Sequence, residues 1–94
     1  MDDETLLQEL DRRCPSTRDH AAWKELAPLL DGLEKIGRSG SHALVKVDGD
    51  RTDAGVYTVA VSGGRLGETF FRKDGTHLPL LLREAIAFYV THAN

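Results

Sequence analysis

Apolar positions recur at two different periods along this chain, and the change of period divides it. Leu6, Leu7, Leu10 and Cys14 lie at the spacing of one face of a short helix beginning at Asp3 or Glu4. Acids at its start and Arg12-Arg13 at its end suit the two poles of a helix dipole. Pro15 stops it, because the residue before a proline is disfavoured in the α region. Trp23, Leu26, Leu30 and Leu33 continue the helical spacing, and Ser16-Thr17-Arg18-Asp19 ahead of them approximates a capping box. Pro28 falls inside this stretch, where a proline removes a backbone hydrogen bond and crowds the preceding turn. The expectation is a kink, or two short helices with Pro28 in the first turn of the second. Gly37 is the expected terminator.

From His42 the period falls to two. His42 to Asp48 reads as a strand with Ala43, Val45 and Val47 on one face. Gly49 to Gly55 is a polar loop. Two β-rich runs, Val56 to Ser62 and Arg65 to Phe71, then flank Gly63-Gly64, the signature of a two-residue hairpin turn. That turn sets Ser62 opposite Arg65, Val61 opposite Leu66, Val59 opposite Glu68 and Tyr57 opposite Phe70. The other face would carry Ala60 with Gly67, Thr58 with Thr69 and Val56 with Phe71. The first set holds more bulky apolar groups and is assigned to the core, which leaves Phe71 outside. Asp74-Gly75 closes the last strand, and Pro79 opens a helix to about Thr91 whose apolar residues cover most of its circumference.

These elements predict one α+β domain over residues 1–94. It has N-terminal helices kinked or broken near Pro28, a three-stranded antiparallel β-meander, and a C-terminal helix packed on one sheet face. The chain's 94 residues suffice for one modest core. Its formal charge of -3 with scattered basic residues argues against a broad nucleic-acid-binding surface. A single cysteine makes no internal disulfide and no thiolate zinc site. Met1-Asp2-Asp3-Glu4 has the wrong charge for a signal peptide, and no apolar run is long enough to span a bilayer. The reading is a cytoplasmic protein with no membrane association.

No stretch of the sequence carries a reaction. Asp48-Gly49-Asp50-Arg51-Thr52-Asp53 suggests a calcium loop at first, but the sixth position is Asp53 instead of glycine and the twelfth is Val59 instead of glutamate. His20, His42, His77 and His92 lack metal-ligand spacing and read as surface or capping residues. Cys14 shares the apolar spacing of Leu7 and Leu10 and reads as a buried structural thiol. The Gly/Ser-rich segment from Gly37 to Ser41 lacks the Lys-Ser/Thr ending of a phosphate cradle and precedes a strand. The expectation is therefore no catalytic, cofactor-binding or metal-binding residue, and no cofactor.

What remains is recognition. An acidic loop carrying Asp48, Asp50, Arg51 and Asp53, and an outer sheet patch of Val56, Thr58, Thr69, Phe71 and Lys73, form the predicted partner-binding residues. They suit a protein partner with a basic site. The favoured function is a small non-enzymatic inhibitor or immunity-type protein that neutralises a macromolecular partner by occlusion, of the general type of bacterial toxin-immunity proteins. A homo-oligomeric accessory domain, joined through a sheet face or an edge strand, is the alternative. A ligand-binding or enzymatic domain built from Arg38, His42, Asp48, Arg51 and Asp53 ranks last.

Overall fold

The computed structural model describes residues 1–15, 20–50 and 55–94. In chain order it contains α1 (Asp3–Arg13), a 3-10 turn (His20–Glu25), α2 (Leu26–Arg38), β1 (His42–Val47), β2 (Tyr57–Ser62), a second 3-10 turn (Gly64–Leu66), β3 (Phe70–Gly75) and α3 (Leu78–His92). The three strands form one antiparallel sheet in the order β1-β2-β3, and α3 packs on β2 and β3. This is the α+β arrangement that the change of apolar period predicts.

The stretch around Pro28 is broken, not kinked. The 3-10 turn ends at Glu25 and α2 starts at Leu26, which puts Pro28 in the first turn, where its missing N–H has no helical partner to lose. The predicted cap at Ser16 to Asp19 lies outside the described residues. Gly37 does not end α2. The helix runs to Arg38, Ser39 Oγ donates to the Ile36 carbonyl at 2.7 Å, and Gly40 turns the chain at φ 108°. A Cβ added at Gly37 would meet nothing within 4 Å, and its φ is not positive. Gly37→Ala is therefore expected to raise unfolding free energy by about 0.5–1 kcal/mol, read as a higher urea midpoint.

The core lies between the sheet and the two helices α2 and α3. Tyr57, Val59 and Val61 of β2 face Leu78, Leu81, Leu82 and Ala85 of α3 and Leu26, Leu33 and Ile36 of α2 within one buried cluster. α3 is capped by His77, whose Nδ1 accepts the Leu80 N–H at 3.2 Å, as a capping histidine should.

α1 stands apart from this core, held by local contacts. Asp2 Oδ1 accepts the Thr5 N–H at 2.7 Å, and this bond holds the Asp2 carboxyl below its usual range. Glu9 takes hydrogen bonds from Arg12 and Arg13 with the same effect. None of the residues of α1 is buried, and Cys14 is exposed. The periodicity of Leu6, Leu7 and Leu10 is that of a helix, but its apolar stripe meets no core, so the expectation of a buried Cys14 thiol is overturned.

The connection from β2 to β3 is the largest departure. Ser62 pairs with Phe70, Val61 with Phe71, Ala60 with Arg72, Val59 with Lys73, Thr58 with Asp74 and Tyr57 with Gly75. The partner of Ser62 thus moves from position 65 to position 70, a shift of five (70 − 65), which is odd and exchanges the faces of β3. The cause is Leu66. It turns inward and is buried, and the chain must make an extra 3-10 turn to deliver it. Gly63, Gly64 and Gly67 take the positive φ values that this path needs. At Gly64 a Cβ would also lie 2.8 Å from the Gly40 backbone, so the loop seats directly on the α2–β1 junction. Ser41 Oγ donates to the Gly63 carbonyl and Thr69 Oγ1 to the Leu66 carbonyl, closing both ends.

Candidate protein-binding faces

Both helices cover the same side of the sheet. Phe71 packs its ring 5.8 Å from that of Phe88, and Lys73 Nζ donates to Glu84 Oε2 at 2.8 Å, so the odd-numbered residues of β3 face α3. Phe71 and Lys73 are therefore not on an outer patch, which corrects the predicted face. Val56 packs against the core cluster, and Thr69 lies in the connecting loop, not in a strand. Thr58 does point to the outer side but is buried there, its Oγ1 donating to Asp74 Oδ1 at 2.5 Å. The five predicted patch residues are thus dispersed.

The register assembles a different outer face from three rows. His42, Ser62 and Phe70 form one, Leu44, Ala60 and Arg72 the next, and Lys46, Thr58 and Asp74 the third. Phe70 is 64% exposed and Leu44 56% exposed. His42, Lys46 and Arg72 are exposed around them. A face that carries an exposed aromatic ring and an exposed leucine together with Arg72 and Lys46 can take both apolar contact and carboxylates. The signal in the sequence was the pair Phe70-Phe71, of which one member must point out.

The predicted acidic loop is described only in part. Asp48 pairs with Lys46 at 3.7 Å and its Oδ1 accepts the Asp50 N–H at 3.0 Å, the geometry of a polar turn. Asp50 is exposed, and Arg51 and Asp53 lie outside the described residues. Of the set considered for a small-ligand site, Arg38 is tied to Glu34 on α2 at 3.4 Å and His42 stands on the outer face. Among the described residues no group of three or more His, Cys, Asp and Glu is placed to hold a metal ion, and no helix is long and apolar enough to cross a membrane.

A groove of about 480 Å³ runs between α2 and β1 on the helix side. Leu30, Leu33 and Gly37 form one wall and Ala43 and Val45 the other, with Glu34 and Arg38 also lining it. Sequence spacing gave no hint of it, because it lies between two elements that only the tertiary fold brings together.

Comparison of the chain with protein-family models, with curated proteins and with solved structures gave no match in any of the three.

Proposed function

We propose that this chain is a non-enzymatic protein-binding domain of the inhibitor or immunity type, acting in the cytoplasm by covering a functional surface of a macromolecular partner. The observation that carries the reading is Phe70, a large aromatic 64% exposed on the sheet face that α2 and α3 leave open. Such rings anchor protein interfaces when a partner pocket desolvates them. The cations Arg72 and Lys46 on the same face favour a partner surface that carries carboxylates. This differs from the basic site suggested by the acids between Asp48 and Asp53. Charge complementarity of this kind speeds association and selects partners more than it adds affinity.

The test compares wild type with Phe70→Ala and with Val90→Ser, a control on exposed α3 surface. A protein captured by wild type and by Val90→Ser, and bound at least about tenfold more weakly by Phe70→Ala, supports the reading. Equal capture by all three excludes the outer face as the binding surface. Binding of a labelled single-stranded oligonucleotide that is lost in Phe70→Ala would replace the protein partner with nucleic acid.

A further inference from the structure

We infer that the outer edge of β1, which no strand among the described residues pairs, is a homodimer interface in which two copies join their sheets antiparallel about a two-fold axis through Val45. This rests on the edge and the groove beside it, and is independent of the outer-face reading.

The backbone decides which groups are available. Asp48 N–H donates to the carbonyl of Val56 at 2.7 Å, and these two continue the register that pairs Val47 with Tyr57. In an antiparallel ladder, residues that exchange hydrogen bonds alternate with residues that do not. Even-numbered residues of β1 therefore bond to β2. The N–H and C=O groups of Ala43, Val45 and Val47 point away from β2, to the outer edge of the sheet.

Identical antiparallel strands pair about a two-fold axis, and continuity of the helix-covered face requires odd residues to meet odd residues. Centring on Val45 puts Val45 opposite Val45 of the partner subunit, and Ala43 opposite the partner's Val47. All the outward-pointing groups of β1 are then paired. On the outer face the same register sets His42 against the partner's Asp48 and Leu44 against the partner's Lys46. The neighbouring allowed register, centred on Leu44, would instead leave Val47 opposite the partner's Ser41, beyond the end of the strand. The register centred on Lys46 would set that lysine directly opposite the partner's Lys46, a like-charged pair that is unfavourable, so the Val45 register is selected.

Packing selects the same edge. Val47 is 65% exposed, and in this register it stands beside the partner's Ala43, on the wall of the apolar groove formed with Leu30, Leu33 and Gly37. The small Ala43 side chain leaves the space that a valine on the neighbouring strand takes up. The opposite edge of the sheet is guarded. β3 carries Arg72, Lys73 and Asp74 in succession, the type of charge that blocks strand pairing, whereas β1 carries Lys46 as its one acid or Lys/Arg residue.

Sedimentation equilibrium across micromolar to millimolar concentration, with amide hydrogen exchange on the same samples, tests this. Wild type is expected to reach twice the 10.4 kDa chain mass, with exchange at Ala43, Val45 and Val47 slowing as the dimer forms. Val45→Pro removes one outward N–H without touching a bond to β2. Ala43→Glu places a charge on an exposed position opposite the partner's Val47. Each is expected to stay folded by circular dichroism and to sediment as a monomer; should Val45→Pro unfold, Ala43→Glu alone decides. Phe70→Ala should leave the dimer intact. A wild type that stays monomeric throughout overturns the inference. So does a dimer that survives Ala43→Glu but dissociates when Leu6 and Leu10 are changed to serine, which would assign the contact to α1.

Discussion

Leu82→Ala is expected to lower the unfolding free energy by about 3 kcal/mol and the melting temperature by at least about 12 °C. Leu82 has no exposed surface and lies in α3 where the helix meets β2 and α2 together. Its neighbours on the helix, Leu78, Leu81 and Ala85, are buried as well, so the cavity left by three missing carbons is walled on every side. The cost has two parts, the lost transfer of the side chain from water and the contacts its neighbours forfeit across the void. Small domains hold about 5–15 kcal/mol in total, so this single change should remove a large share. A urea titration measures it as a lower midpoint at unchanged slope. A loss under about 1 kcal/mol would mean that α3 does not seat on the sheet as described.

Phe71→Ala should cost about 2 kcal/mol, and the adjacent Phe70→Ala less than about 0.5. The first ring lies 5.8 Å from Phe88, which stacks at 4.1 Å on His92, and its removal opens that file of rings. Phe71 is partly buried, so its cost falls below that of a fully enclosed phenylalanine. Phe70 shows most of its surface to water and leaves no void. The order of the two losses reports the hairpin register directly. A two-residue turn at Gly63-Gly64 would reverse it, making Phe70 the costly member.

That reversal marks where the sequence could be read and where it could not. The helices and strands and their order followed from apolar period together with the prolines and glycines between them, because a helix and a strand bury apolar residues at different spacings. β2 turns Tyr57, Val59 and Val61 to the core, as its period predicts, for the same reason. The face of β3 depended on a loop length, and loop length depends on a tertiary fact, the burial of Leu66. The local hint was a third glycine at Gly67 and an apolar Leu66 between glycines, more positive-φ capacity than a two-residue turn uses. α1 failed in the opposite sense. Its spacing announces an apolar face, but spacing does not say what covers that face. The outer sheet site shares the fate of the hairpin. The choice between Phe70 and Phe71 was visible, and its answer needed the register. The groove beside β1 had no sequence signal, since its two walls come from elements that meet only in the fold.

The consecutive order β1-β2-β3 has a consequence for how quickly the chain finds its structure. Each strand pairs with the next one in sequence, so the sheet is assembled by closing short loops, from Asp48 to Val56 and from Gly63 to Thr69. Short closures cost little chain entropy before contacts repay it. β2 is the member of both hairpins and supplies the fully buried Val59 and Val61, so it is the natural centre of the transition state, with α3 docking onto it from the C-terminal side. Both edge strands, β1 and β3, pair with β2 alone among the described residues of one copy, so their order follows that of this nucleus.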